Sequence, residues 1–252
     1  MARESRELKL KIDKVSKTFP SRNGEVVALT EFNLEIYENE FITVVGPSGC
    51  GKSTIMNIIA GLEEASTGKV YCDGQPISGT GLDRGVVFQQ YALFPWLTVK
   101  GNVEFGLKIK GLSPQEIEEI SMKYIKMVQL EDFVNHYPKE LSGGMRQRVA
   151  IARAYAVNPS VLLMDEPFGA LDAQTRTQLQ DELLTMWQTE RKTCFFITHD
   201  VDEAIILGQK VIIMSARPGR IKEIVDIDIP YPRTQATKMS QKFLDKKNYI
   251  WS

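Results

Sequence analysis

One stretch of the sequence constrains the fold more than any other: an apolar run that passes directly into a glycine-rich loop. Residues Phe41–Val45 are all apolar or β-branched, which predicts a strand covered on both faces. The loop that follows reads Gly46-Pro-Ser-Gly-Cys-Gly-Lys-Ser53, and apolar residues at helical spacing begin directly after it. A buried strand, a glycine-rich turn and a helix in this order indicate an α/β protein with a parallel sheet.

The loop matches the pattern G-x-x-x-x-G-K-S/T, which binds the phosphates of nucleotides. Glycines let backbone amides turn toward phosphate oxygens, and a helix N-terminus adds favourable partial charge. Lys52 is expected to reach the β- and γ-phosphates, and the Ser53 hydroxyl to ligate Mg²⁺. A chance match is the alternative, which the flanking strand and helix disfavour. The predicted nucleotide-binding residues here are Gly46, Pro47, Ser48, Gly49, Cys50, Gly51, Lys52, Ser53 and Thr54.

Two adjacent carboxylates, Asp165 and Glu166, follow a second apolar run, Val161–Met164. Open α/β sheets bind ligands at the carboxyl ends of their strands. We therefore predict that Asp165 holds Mg²⁺ and that Glu166 orients or deprotonates the attacking water. An acid pair taken alone is more often a solvated turn, but the phosphate-binding pattern in the same chain argues against that alternative.

A further helix start carries a serine and two glycines in Leu141-Ser-Gly-Gly-Met-Arg-Gln-Arg148. Such a terminus is a natural anion site, although an ordinary helix start is the alternative. Together with Leu162-Leu-Met-Asp-Glu-Pro167, it resembles the signature and Walker B motifs of the ATP-binding cassette (ABC) family, over nearly the whole chain. The resemblance implies a head-to-tail ATPase dimer in which Ser142, Gly143 and Gly144 close on the ATP of a second copy.

Four further residues match family positions one at a time. The resemblance implies that Gln89 touches the metal and the attacking water, that His199 contacts the γ-phosphate, and that Asp172 lies in the loop that links the two sites. Phe19 resembles the aromatic residue, usually Tyr, that stacks on adenine. Gly169 departs from the Ser of many members and leaves Asp172 in place. Without the family, His199 is read as a structural hydrogen-bonding residue. Core packing is the alternative for Phe19.

The resemblance implies a P-loop NTPase core with a parallel sheet, an N-terminal antiparallel β subdomain and an inserted α-helical subdomain. Within a single ABC ATPase domain, 1–252, we assign residues 1–97 and 158–230 to the catalytic core with the β subdomain. Residues 98–157 form the predicted helical subdomain with the signature motif. Residues 231–252, which are polar and rich in lysine, are predicted to be a surface appendage.

Composition limits the partners that the chain can have. Its 31 Lys and Arg residues balance 32 Asp and Glu residues, which argues against attraction of the whole molecule to nucleic acid or anionic lipid. No run approaches the roughly 20 apolar residues that span a bilayer. Cys50, Cys72 and Cys194 form no C-x-x-C pair, as expected in a reducing compartment.

The run Tyr91-Ala-Leu-Phe-Pro-Trp-Leu-Thr-Val99 resembles the nitrate/sulfonate/taurine-type importer ATPases. That resemblance implies a groove near Gln89 that receives a helix of a transmembrane permease, and Phe94, Trp96 and Leu97 suit such a contact. Packing within the helical subdomain is the alternative. We therefore expect an ATPase at the cytoplasmic face of the cell membrane that drives uptake of a small oxyanion, with a substrate-binding protein as an indirect partner.

Three other functions remain open at this stage. An exporter or lipid-transport ATPase would carry the same catalytic motifs. An ABC protein of DNA repair or translation would need a long coiled-coil insert or a second cassette, and this sequence has neither. A nucleotide-binding regulator without hydrolysis is disfavoured by Glu166 and His199.

Overall fold

The computed structural model describes residues 6–21 and 24–251, which form ten strands and seven α-helices. The chain divides into two compact units. The first unit contains the residues up to 81 and from 192 onward, and the second unit contains Leu82–Arg191. The predicted helical segment 98–157 lies within the second unit. No helix among the described residues has the length and apolar character needed to cross a bilayer.

The first unit begins with an antiparallel sheet, as predicted. Its strand order is β2-β1-β4-β5. Buried apolar residues alternate along β2 from Phe32 to Ile36 and along β1 at Leu10 and Ile12, so that one face of the sheet packs against the interior. Val15 and Leu29 have the other parity and are buried as well, because the pairing of the two strands shifts register beside them. The strands are β1 (Leu8–Ser21), β2 (Gly24–Tyr37), β4 (Thr67–Cys72) and β5 (Gln75–Pro76).

A second sheet in the first unit contains the strand that leads into the glycine-rich loop. Strand β3 (Phe41–Val45) is buried along its whole length and pairs in parallel with β8 (Thr193–Ile197) and β9 (Lys210–Ser215). Strand β10 (Arg220–Asp226) pairs antiparallel with β9. The parallel pairing confirms the reading of Phe41–Val45 as a strand covered on both faces.

Helix α1 (Lys52–Ala60) follows the glycine-rich loop and ends at a glycine that the structure requires. Gly61 has a φ of 73°, and its amide donates to the carbonyl of Ile58. A Cβ at this position would lie 1.9 Å from the carbonyl oxygen of Gly79. Both the left-handed backbone and the close approach of a second segment exclude a larger residue.

Replacement of Gly61 with Ala should therefore destabilise the first unit strongly. We expect a loss of about 3 kcal/mol or more, because backbone atoms must move to admit the methyl group. The matched control is Gly74→Ala, which has the same φ of 73° but open space around the added Cβ. That variant should lose only about 1 kcal/mol. Urea unfolding followed by circular dichroism compares the two, and equal losses would contradict the assigned clash.

The segment after Pro230 is not the surface appendage that the sequence predicted. It contributes three buried side chains, Arg233, Phe243 and Ile250. Helix α7 (Gln241–Trp251) carries the last two and packs against helix α6 (Val201–Leu207). The abundance of lysine indicated an exposed tail, but an amphipathic helix buries one face whatever the charge of the other.

The second unit has two parallel strands and four helices. Strands β6 (Arg84–Val87) and β7 (Val161–Asp165) pair in register, with Val87 opposite Met164. The helices are α2 (Val99–Ile109), α3 (Pro114–Met127), α4 (Gly143–Ala156) and α5 (Ala173–Glu190).

Two serines begin helices of the second unit, and one of them, Ser142, lies at a predicted helix start. The Ser113 hydroxyl accepts from the amide of Glu116, whose carboxylate accepts from the amide of Ser113, so that a capping box starts α3. Ser142 caps α4 by accepting from the amide of Met145 at 3.2 Å.

Candidate functional site

In the first unit, the glycine-rich loop at residues 46–53, here called the phosphate loop, presents backbone amides and one ammonium. Gly49 and Gly51 have φ values of 74° and 91°. Helix α1 has no side-chain N-cap and no acidic residue in its first turn. Lys52 is buried, and its Nζ donates to the carbonyls of Gly46 at 2.8 Å and Pro47 at 3.2 Å. Backbone amides that no side chain caps, together with an ammonium group directed into the loop, are suited to bind the negatively charged phosphates of a nucleotide.

Two neighbouring segments of the first unit fix the shape of this loop. A Cβ on Gly51 would lie 2.6 Å from Leu29 Cδ2, and one on Gly219 would lie 2.0 Å from the carbonyl oxygen of Cys50. The Cys50 side chain is fully buried, and that burial raises the pKa of its thiol. Cys50 therefore packs the loop from inside, and only its backbone is available to a nucleotide.

His199 lies at the same edge of the sheet as the phosphate loop. Strand β8 runs beside β3, with Ile197 opposite Val44, and the Thr198 amide donates to the Val44 carbonyl at 3.1 Å. His199 follows directly and is exposed. The next residue, Asp200, caps α6 by accepting from the amides of the first turn. The first unit thus brings together two predicted site elements that are about 150 residues apart in the chain.

Phe19 lies outside the buried core, so the alternative interpretation of this residue as a core residue is wrong. It is half-buried on β1, opposite Val26, which is itself exposed. The Lys17 ammonium lies 4.8 Å from the centroid of the Phe19 ring and pairs with Glu63 at 2.5 Å. An accessible ring with a cation at one face can stack on a base.

In the second unit, Gln89 and Glu166 come together around Gly169. Strands β6 and β7 end side by side, which places the residues that follow each of them at one edge. A Cβ on Gly169 would lie 3.2 Å from Gln89 Nε2 and 3.7 Å from Glu166 Oε2. Glu166 has a φ of 43°, a costly backbone conformation that is common at functional sites. The glycine at 169 leaves room for the amide beside the carboxylate.

The signature glycines and the Asp172 loop also contact each other in the second unit. A Cβ on Gly144 would lie 2.6 Å from Thr175 Cγ2, and one on Gly143 would lie 3.5 Å from Leu171 Cδ2. Asp172 caps α5 by accepting from the amides of Gln174 and Thr175, and these hydrogen bonds lower the pKa of its carboxyl group. Ser142 is exposed at the N-terminus of α4, where an anion is favoured.

Sequence reasoning missed two residues that attach the segment after Gln89 to helix α4. The half-buried Arg153 donates to the carbonyls of Ala92 at 2.7 Å and Tyr91 at 3.2 Å, and loss of solvent around its guanidinium lowers the pKa of that group. The Tyr91 hydroxyl lies 3.2 Å from the Cβ position of Gly143. The two carbonyls lie 61 and 62 residues before Arg153, so that no local pattern marks it.

An aromatic cluster, formed by Phe94, Trp96 and Phe105, is exposed on the second unit. The ring centroids of Phe94 and Phe105 are 4.3 Å apart, and those of Phe94 and Trp96 are 5.7 Å apart. Trp96 is 70% exposed and Phe105 is 39% exposed. Phe94 is held by Arg153, whose guanidinium lies 5.6 Å from its ring. Packing within the helices therefore accounts for Phe94 but not for Trp96.

Comparisons with known proteins agree with this arrangement. The profile described as ABC transporter matches residues 29–169. An uncharacterized ABC transporter ATP-binding protein of Methanocaldococcus jannaschii is 56% identical over 98% of this chain and 92% of its own length. The nitrate import ATP-binding protein of Synechocystis is 49% identical over 88% of this chain and 83% of its own. The aliphatic sulfonates import ATP-binding protein of Bacillus cereus is 45% identical over 93% of this chain and 92% of its own length.

Solved structures agree as well. A dimeric ABC transporter cassette superimposes with a TM-score of 0.78 at 37% identity, and its post-hydrolysis state with bound ADP and phosphate gives 0.77 at 36%. Each match covers 88% of this chain and 100% of the other. The predicted fold and the resemblance to importer ATPases are confirmed. The chain belongs to the ABC transporter family, and it is an ATP-binding cassette that hydrolyses ATP.

Proposed function

We propose that this chain is the ATPase subunit of an importer and drives uptake of a small oxyanion through a separate membrane permease. The observation that carries the proposal is the aromatic cluster, because Trp96 is largely exposed close in sequence to Gln89. Exposed aromatic side chains are the usual anchors of a helix-in-groove contact. The two relatives named for import of nitrate and of aliphatic sulfonates support an oxyanion as the solute.

The site residues have separate roles in ATP hydrolysis. Phe19 stacks on adenine, the phosphate loop and Lys52 hold the phosphates, and His199 contacts the γ-phosphate. Glu166 takes a proton from the attacking water, while Gln89 orients that water. Bound Mg²⁺, held by Ser53, Gln89 and Asp165, would neutralise charge on the phosphate oxygens.

We further propose that two copies assemble head to tail, so that Ser142, Gly143 and Gly144 of one copy bind the γ-phosphate held by the other. The exposed Ser142 at the start of α4 and the uncapped first turn of α1 are both anion sites. A nucleotide bound between two copies would contact the α1 site of one copy and the Ser142 site of the other. The dimeric state of the solved relatives supports this arrangement. Asp172, in contact with the signature glycines through α5, would transmit closure between the two sites.

The proposed place of work is the cytoplasmic face of the cell membrane, reached through the permease. The near balance of basic and acidic residues supports a protein groove as the route, since a basic surface for lipid or nucleic acid is not needed. A substrate-binding protein would act indirectly, by delivering the solute to the permease.

Transport by the assembled system tests this proposal. The chain is co-expressed with a candidate permease and its substrate-binding protein, and uptake of labelled nitrate, taurine and an alkanesulfonate is measured in cells. We expect Trp96→Ala to reduce uptake at least about tenfold, because an aromatic anchor that becomes buried on docking dominates such contacts. The ATPase rate of the isolated subunit should stay unchanged.

The control is Met239→Ala, which removes an apolar side chain that is 82% exposed outside the aromatic cluster. That variant should transport normally. Equal uptake by both variants would contradict the docking role of Trp96. Efflux of solute in place of uptake would assign the chain to an exporter.

A further inference from the structure

Helix α6 begins two residues after His199, and the C-terminal segment contacts this helix at both ends. We refer to Tyr231, Arg233 and Lys247 together as the C-terminal brace. None of these residues belongs to a motif, and none has a role in the site described above. All of the contacts that follow lie within the first unit.

Arg233 fastens the segment to the C-terminal end of α6. Its side chain is 3% exposed, and its guanidinium donates to carbonyls of Ile205 and Gly208 on the α6 side. Nε donates to the carbonyl of Ile229 at 2.9 Å, and Nη2 to that of Ile227 at 3.2 Å. The last carbonyls of a helix have no intrahelical partners, so this one side chain satisfies groups that α6 leaves open.

The two other residues of the C-terminal brace complete the attachment. The Tyr231 ring stacks against the Arg233 guanidinium at 4.1 Å, and its hydroxyl donates to the Leu207 carbonyl at 2.7 Å. At the opposite end of α6, Lys247 Nζ forms an ion pair with Asp202 Oδ1 at 2.7 Å. Lys247 belongs to α7, so the same segment contacts the first and the last turn of α6.

Helix α6 needs such support because it is only seven residues long. A helix of two turns has little stability of its own, and its position is set by what it packs against. His199 lies between this helix and strand β8, whose end is fixed by the bond from Thr198 to Val44. A displacement of α6 therefore moves His199 relative to the end of β8, which stays in place.

We propose that the C-terminal brace consists of positioning residues for His199, which set the rate of ATP hydrolysis without changing ATP affinity. The proposal rests on the role of His199 at the γ-phosphate. The affinity for ATP depends on the phosphate loop, which the brace residues do not contact in these hydrogen bonds and ion pairs. The rate of hydrolysis depends in addition on the placement of His199.

Kinetics of the full-length protein provide the first readout. Lys247→Ala and Tyr231→Phe each remove one contact with α6 and leave Arg233 in place, so both variants should fold. We expect each to lower kcat about threefold to tenfold with an unchanged KM for ATP, because small displacements of a catalytic group are costly. The matched control is Lys246→Ala, since Lys246 contacts Asp226 and Asp228 and not α6. Its kcat should equal that of the wild type.

A spectroscopic readout separates positioning from general loss of structure. The chain has two histidines, His199 in the first unit and His136 in the second, so the imidazole ¹³C–¹H spectrum contains two signals. His199→Ala assigns them. In Lys247→Ala and Tyr231→Phe we expect the His199 signal to shift beyond its linewidth while the His136 signal stays in place. Lys246→Ala should leave both signals unmoved.

The outcomes test the role of His199 and the role of the C-terminal brace separately. A wild-type kcat in His199→Ala would overturn the proposed role of His199 at the phosphate. A low kcat in His199→Ala, together with a normal kcat or an unmoved His199 signal in both brace variants, would overturn the positioning role alone. Movement of both histidine signals would assign the effect to stability, and would likewise overturn it.

Discussion

Glu166→Gln should bind Mg-ATP with native affinity, lose hydrolysis about 100-fold to 1,000-fold, and accumulate as a dimer. The loss is of the size expected when a general base is removed, because an amide cannot take a proton from water. Gln has the shape of Glu, so its side chain can occupy the same position beside Gly169. In the native protein, Glu166 Oε2 lies 3.7 Å from the place that a Cβ on Gly169 would take. The ATP-bound state should therefore form and persist.

Size-exclusion chromatography with light scattering, in the presence and absence of Mg-ATP, measures the accumulated dimer. The control is Glu119→Gln, the same chemical change at an exposed position of α3. That variant should hydrolyse ATP at the native rate and elute as the wild type does. A Glu166→Gln protein that remains monomeric with normal turnover would refute the assigned role.

The phosphate loop could be predicted from sequence because its determinants are local. A buried strand, glycines with positive φ at 49 and 51, and a lysine at the first helical position all occur within a dozen residues. The helix start at Ser142 could be predicted for the same reason, since a cap needs only the next three residues. Local geometry that depends on adjacent residues is visible in the sequence.

Contacts between distant segments could not be predicted in the same way. Nothing near Arg153 or Arg233 in the sequence distinguishes them from exposed charged residues. Each donates hydrogen bonds to carbonyl oxygens that are far away in the chain. The same limit explains the wrong prediction for residues 231–252, where the high lysine content indicated an exposed tail and gave no sign of the buried Phe243 and Ile250. The approach of Gln89 to Glu166 beside Gly169 likewise depends on the parallel register of β6 and β7.

Ser142→Tyr should abolish hydrolysis while the isolated subunit keeps its affinity for ATP. The phosphate that Ser142 contacts belongs to the other copy in the proposed dimer, so a bulky ring keeps the signature away from that one phosphate without touching the subunit's own phosphate loop. The matched control is Ser113→Tyr. Both serines are exposed helix N-caps of the second unit with φ near −65°, and both changes remove a cap that contributes about 1 kcal/mol. Only the Ser142 variant should lose activity.

Mixing this variant with Lys52→Ala tests the head-to-tail arrangement directly. Each homodimer is inactive, because one lacks the signature contact and the other lacks the phosphate-loop ammonium. In a mixed head-to-tail dimer both defects fall on the same site, and the second site combines an intact phosphate loop with an intact signature. Half of the dimers in an equimolar mixture are mixed and each has one intact site, so the rate should recover to about a quarter of the wild-type value. If each subunit instead used its own Ser142, every site in the mixture would carry a defect and no activity would return.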